Sequence, residues 1–403
     1  METKDIEKNW GKVKRVPYNA RTSEVFEVKE INGDKILYEN GEKFNGKLEL
    51  IYDDGLIQSE GMIKDGQKEG KWKSYTPKGI LESVDRYEKG KLNGMYQAFY
   101  KNGNVKEEVE FVNNIENGKF FEYYESGELE IEGQNVNGVT EGTLIMYYRD
   151  GSIFQKANVV NNLLQGKAIR NHPTGDLYAE LNYVDNELNG KASYYYMNGK
   201  LEKEGVYRNG KQEGEWKKYY EETGELDIKC MKKDGKMNGK CTVYYKSDDE
   251  IEGIKVSDDK KEMVTFEVEM VNDEKNGNFV SYYPNGKKME EGVYVDDKKE
   301  GKFTMYYPDG RLRETKKYID GKKEGIWEYF DLYKYVVIKE EEYKNDKEIS
   351  LKKYNDERDL IFHSYYEGDF YYEEKYNEKG KIISKKKYKE DRFGELIEVE
   401  EYN

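Results

Sequence analysis

A glycine preceded by Asn, Glu or Gln recurs along this chain at Gly46, Gly70, Gly94, Gly118, Gly142, Gly166, Gly190 and Gly214, in steps of 24 residues. It continues at Gly239, Gly277, Gly301 and Gly325, with steps of 25, 38, 24 and 24. A second glycine follows nine residues later at Gly55, Gly79, Gly103, Gly127, Gly151, Gly175, Gly199, Gly286 and Gly310, and one residue late at Gly224. A period of this length and regularity admits only stacked copies of one supersecondary unit. The 403 residues therefore hold twelve repeats rather than two or three ordinary domains.

Each unit reads as two strands and two turns. In Glu300 to Lys323, Phe303, Met305 and Tyr307 alternate as one face of a strand must. Pro308-Asp309-Gly310 turns the chain, a second strand runs from Leu312 to Tyr318, and Asp320-Gly321 turns it back. No segment shows a 3.6-residue apolar period, so the expected fold is all-β: an elongated, single-layer antiparallel β-hairpin solenoid. Such a sheet has little core, and aromatic columns compensate. Counting from the first glycine, position two holds Trp72, Tyr96, Phe120, Trp216, Phe279, Phe303 and Trp327, with Leu48, Leu144, Ala168, Ala192 and Cys241 in the other units. Position six holds Tyr52, Tyr100, Tyr124, Tyr148, Tyr196, Tyr220, Tyr245, Tyr283 and Tyr307 on the same face. Position five, on the opposite face, is Tyr or Phe in most units. Aromatics of neighbouring repeats are expected to stack along the ribbon.

The pattern G-K-W/F-x-x-Y-Y-x-N/D-G-x-L, followed by Y-x-D/N-G-K-x-E/N-G, resembles the bacterial MORN-repeat variant found in proteins of the YwqK antitoxin type. The resemblance runs from about Asn45 to Glu342. It implies a β-hairpin repeat fold and a toxin as partner. Repeat six departs from it, with Asn171 and His172 in place of two tyrosines, and repeat twelve breaks down after Phe330.

Residues 1–44 precede the array, where Val25 to Ile31 and Ile36 to Tyr38 suggest capping strands. The array spans 45–342. Within it, a longer insertion near 246–262, rich in charge at Lys246 to Glu250 and Ser257 to Lys260, reads as a loop or lengthened hairpin projecting from the sheet. Residues 343–403 read as a C-terminal β-meander cap.

Chemistry is scarce in this sequence. Its two histidines are far apart: His172 reads as a structural replacement for Tyr, and His363 has no neighbouring His or Cys to share a metal. With Asp234-Gly235 as a two-residue turn, Cys230 would face Gly239 and lie diagonal to Cys241. The two cysteines are therefore expected as separate reduced thiols. Asp248-Asp249 and Asp258-Asp259 lack the spacing of a calcium loop, and no glycine-rich nucleotide motif opens a helix. No enzyme activity, cofactor or metal is expected. A net charge of −15 opposes nucleic-acid and anionic-membrane binding, and no window reaches the length of a membrane span. Residues 1–15 lack the apolar core of a signal peptide, which gives a cytoplasmic expectation unless an export signal lies elsewhere.

The expected role is a protein-binding or scaffolding module. Its candidate partner-binding stripe is position five: Tyr123, Tyr147, Tyr195, Tyr219, Tyr282 and Tyr306. The alternative is a surface or secreted protein that contacts host protein or glycan, because stacked tyrosines also suit sugar faces, and lipid contact stays open.

Overall fold

The computed structural model describes residues 13–17, 26–256 and 262–402. Their regular structure is all β-strand, arranged as antiparallel hairpins in sheets that do not close, and they contain no helix. The chain divides into two compact units, 1–199 and 200–403.

Repeat two shows how the first unit is built. Strand Gln67–Tyr75 pairs with Leu81–Glu88, placing Trp72 opposite Asp85 and Tyr75 opposite Leu81. The register slips by one residue between Ser74 and Tyr75, and the same bulge precedes Tyr123 and Tyr147. One end of each hairpin is a tight turn with two left-handed residues, such as Asp65 (φ 50°) and Gly66 (φ 80°). This turn matches the twist of the flanking strands, which explains the Asp-Gly and Asn-Asn pairs. Val13–Pro17 runs parallel to Gly46–Ile51. A small sheet of Phe26–Ile31, Asp34–Glu39 and Glu42–Lys43 lays Phe26, Leu37 and Phe44 against Leu48, Ile63 and Trp72. Val25 lies outside the described residues.

In the second unit, hairpins continue through Gly325–Phe330. Val337–Lys344, Lys347–Tyr354, Leu360–Glu367, Phe370–Tyr376, Ile382–Glu390 and Leu396–Tyr402 follow as an antiparallel meander.

Position two forms the core of both units. Trp72, Trp216, Phe303 and Trp327 are all buried, Phe303 completely. Large rings fit because the adjoining strand offers glycine. A Cβ on Gly61 would stand 2.3 Å from the Trp72 ring, one on Gly205 2.3 Å from Trp216, and one on Gly292 2.5 Å from Phe303. Each tryptophan also donates its indole N–H to a main-chain oxygen: Trp72 to Met62, Trp216 to Val206 and Trp327 to Lys317, at 3.0–3.2 Å.

Position-two rings do not stack on one another. A tyrosine from the intervening strand stands between them. In the second unit the sequence Phe279, Tyr294, Phe303, Tyr318, Trp327, Tyr343 has successive centroid distances of 5.5, 5.6, 5.4, 5.3 and 4.8 Å. Spacing dictates this. Equivalent residues two strands apart are separated by about 9–10 Å, beyond the ~4.5–7 Å of a ring contact, so the strand between must supply a ring. Lysine side chains lie over this column. Lys68 Nζ is 4.2 Å from the Trp72 ring centre and Lys299 Nζ 4.4 Å from that of Phe303. Burial pulls the Lys68 ammonium below its ordinary pKa, with Asp85 acting the other way.

Two sequence expectations are corrected in the second unit. Cys230 and Cys241 form a disulfide, with Cα atoms 4.1 Å apart. Between Cys230 and Lys232 the pairing slips by two residues on the partner strand, so Cys230 faces Cys241 directly instead of Gly239. The bridge occupies the row that elsewhere holds ring and glycine, and packs with Val268, Met270 and Phe279. The insertion does form a short hairpin, Glu250–Ile251 with Ile254–Lys255. It does not simply project: Val256 is buried, and Arg313 reaches Glu252 at 2.9 Å. Ser257 to Lys260 lie outside the described residues.

Candidate functional site

The paired tyrosines of each repeat have distinct tasks. At position six the hydroxyl donates to the main-chain oxygen of position five in the next repeat. Tyr52 reaches Tyr75, Tyr100 reaches Tyr123 and Tyr124 reaches Tyr147 in the first unit, at 2.7–2.8 Å. Tyr245 reaches Tyr282, Tyr283 reaches Tyr306 and Tyr307 reaches Phe330 in the second, at 2.7–2.9 Å. His172 keeps this link: its Nε2 lies 3.1 Å from the oxygen of Tyr195.

Position five behaves differently. Tyr123, Tyr147, Tyr195, Tyr219, Tyr282 and Tyr306 are all half-buried. Their hydroxyls turn to a glutamate fifteen residues earlier, on the same face: Tyr123 to Glu108, Tyr147 to Glu132, Tyr195 to Glu180, Tyr219 to Glu204 and Tyr306 to Glu291. Glu267, at the same offset from Tyr282, instead takes Lys240 at 2.7 Å. Burial, then the glutamate bond, pushes the phenols of Tyr123, Tyr147 and Tyr306 up to about 12. These residues stay neutral donors at any physiological pH. The stripe is an ordered row of ring edges and carboxylates rather than a set of loose aromatic side chains.

In seven repeats the residue before the first glycine also links one repeat to the next. Asn45, Glu69, Asn117 and Glu141 accept from the main-chain N–H of Asp65, Lys89, Asn137 and Asn161, in the next hairpin turn. Glu213, Glu300 and Glu324 do the same for Asp234, Asp320 and Asn345. This accounts for the choice of Asn or Glu at a position where a turn alone would not require it.

The face that carries position five also holds a feature the aromatic pattern hid. In the first unit Val112, Val136, Val160 and Val184 recur every 24 residues and are 39–46% exposed. Ile115, Val139 and Leu163 pair with the first three across the tight turns. The signal lay in the sequence at the eighteenth residue after Gly94, Gly118, Gly142 and Gly166, in the same period as the aromatics. In the second unit the matching Val271, Val295 and Ile319 face Glu274, Lys298 and Lys322.

Among titratable side chains, Ser350 Oγ lies 3.1 Å from His363 Nε2. The adjacent Glu374 is engaged by Lys385, Tyr365 and Tyr376. Among the described residues, no group of three or more His, Cys, Asp or Glu side chains could hold a metal ion, and no helix is long and apolar enough to cross a membrane.

The MORN repeat variant matches residues 92–113, 116–135, 188–209, 275–296 and 299–320. No curated protein matches the chain. Among solved structures, the Tc holotoxin pore of Photorhabdus luminescens aligns at 8% identity over 91% of this chain and 23% of its own, with a TM-score of 0.16. A TcdB2–TccC3 crystal structure aligns at 9% identity over 92% and 22%, with a TM-score of 0.14. This chain thus spans under a quarter of the length of either, and at these scores the likeness carries no argument. The recurring hairpin makes this chain a β-hairpin repeat protein, and five of its stretches are MORN repeat variants.

Proposed function

We propose that the chain is a non-enzymatic module that binds a protein partner through the face carrying position five. The observation that supports this is the exposed aliphatic row Val112, Val136, Val160 and Val184, beside the ordered tyrosine–glutamate row. Contiguous apolar surface bordered by fixed polar groups is typical of interaction sites. Tyr123, Tyr147 and Tyr195 would form one flank of that site, and Tyr219, Tyr282 and Tyr306 its counterpart in the second unit. Resemblance to YwqK-type antitoxins makes a toxin the first partner to seek, in the cytoplasm.

A second reading, a secreted or surface protein that contacts host protein or glycan, draws on the Cys230–Cys241 disulfide, since such bonds persist in oxidising compartments. Capture from the native lysate with the wild-type chain and a Val136→Lys/Val160→Lys variant tests the main reading. A partner retained by the first and lost by the second is expected. Equal capture by both would overturn the assignment of this face.

A further inference from the structure

The position-six tyrosines are buried at two repeats, Tyr245 being 6% and Tyr283 1% exposed. The others, from Tyr52 to Tyr220 and at Tyr307, are half-buried. Pro284, the first residue of its turn, is buried completely, while Pro77 and Pro173 at the same place in repeats two and six are exposed. The cover is the insertion that follows Tyr245.

Its two short strands, Glu250–Ile251 and Ile254–Lys255, join through a tight turn at Glu252 (φ 51°) and Gly253 (φ 77°). The Val256 N–H donates to the Asp249 oxygen at 3.0 Å to close the base. From repeat nine the turn carries Glu252 to Arg313 in repeat eleven, at 2.9 Å, and Arg313 lies over the Tyr307 ring, 5.6 Å from its centre. Burial, then Glu252, raises the Tyr283 phenol above its ordinary pKa, while Arg313 acts the other way. Burial, then Asp249, pushes that of Tyr245 up to about 12. Carboxylates of the insertion thus face both rings. The ion pair that ties the turn down is 44% exposed at Glu252 and 34% at Arg313. Pairs so open to water hold weakly, and a two-stranded hairpin has little stability of its own.

We propose that this hairpin is a displaceable cover. It occupies in cis a docking surface, formed by Tyr245, Tyr283, Pro284 and Arg313, for an acidic turn of a protein partner with a carboxylate at its tip and aliphatic residues beside it. The hairpin itself shows the chemistry of the occupant: Glu252 meets the guanidinium, and Ile251, Ile254 and the buried Val256 flank it in sequence. The proposal shares with the reading above only that the partner is a protein. It concerns the opposite face of the sheet and the second unit.

The test uses the full chain and a fluorescein-labelled peptide of residues 248–256, Asp-Asp-Glu-Ile-Glu-Gly-Ile-Lys-Val, followed by fluorescence anisotropy. A covered surface lowers the apparent affinity by the fraction of molecules in which it is open. Glu252→Arg, which sets a like charge against Arg313, should therefore bind the peptide about tenfold more tightly than wild type, and Glu252→Ala about threefold. Arg313→Glu also loosens the cover but removes the cation, so it should bind no better than wild type. A peptide with Arg in place of the tip Glu should gain from neither Glu252 variant. Equal affinity of wild type and both Glu252 variants for the acidic peptide would overturn the proposal. So would equal binding of the arginine peptide, or no saturable binding to any of the three chains.

Discussion

His172 Nε2 lies 3.1 Å from the main-chain oxygen of Tyr195, in the seat that a tyrosine hydroxyl fills in repeats three and four. The imidazole therefore serves as an inter-repeat link. His172→Tyr should keep the stability of the chain or raise it. His172→Phe keeps the ring and loses this link, so it should cost about 1 kcal/mol. Urea midpoints of the two variants against wild type check both outcomes.

The glycine beneath each large ring should resist substitution. Gly292→Ala places a methyl 2.5 Å from the Phe303 ring, and overpacking of this kind costs about 1–3 kcal/mol. Combined with Phe303→Leu, the alanine should cost much less than it does alone, giving a coupling energy above about 0.5 kcal/mol in a double-mutant cycle. Additive costs would show that the two do not share the seat.

The disulfide closes a loop of eleven residues' separation, for which chain entropy alone gives about 2–3 kcal/mol. Reductant should lower the thermal midpoint of the wild-type chain and leave that of Cys230→Ala/Cys241→Ala unchanged. Intact mass after thiol alkylation without reductant should show neither cysteine labelled.

His363 should make the second unit sensitive to mild acid. Burial, then Lys352, holds its imidazole below the ordinary value, and Glu374 acts the other way. The folded state takes up a proton less readily than the unfolded chain, whose imidazole titrates near pH ~6.5, so the unfolded state binds more protons and stability falls as pH drops through that region. The depressed carboxyls of Glu341 and Glu374 lose their contribution only in more acid solution, as pH falls from about 4.3. Between pH ~7.5 and ~5.5 the urea midpoint of His363→Gln should therefore decline less than that of wild type. Equal declines would place the acid sensitivity elsewhere.

The strand pattern and the buried position-two face were legible because a period-two alternation inside a 24-residue repeat leaves few ways to pair. The cysteine pairing was not. It depends on a two-residue slip in register on the partner strand around Gly239 (φ 108°), and a glycine marks the repeat without announcing on its own that the strand bulges there. The tyrosine pair was visible, but its purpose was not, because the acceptor of Tyr100 is a backbone oxygen at Tyr123 and so leaves no side-chain signature. The aliphatic row escaped because valine at a strand end, as at Val136 or Val160, resembles ordinary β-propensity until its exposure is known.

The account rests on the 24-residue hairpin as the unit that pairs and packs, with each repeat held by its neighbours. Deleting residues 95–118 removes one whole unit and brings equivalent strands together. Deleting 95–106 removes about half and reverses the direction of every strand that follows in the first unit. Backbone hydrogen exchange of that unit measures the difference directly. The account predicts near wild-type protection in the remaining hairpins after the first deletion and its collapse after the second. Equal protection in the two deletions, or loss in both, would contradict it.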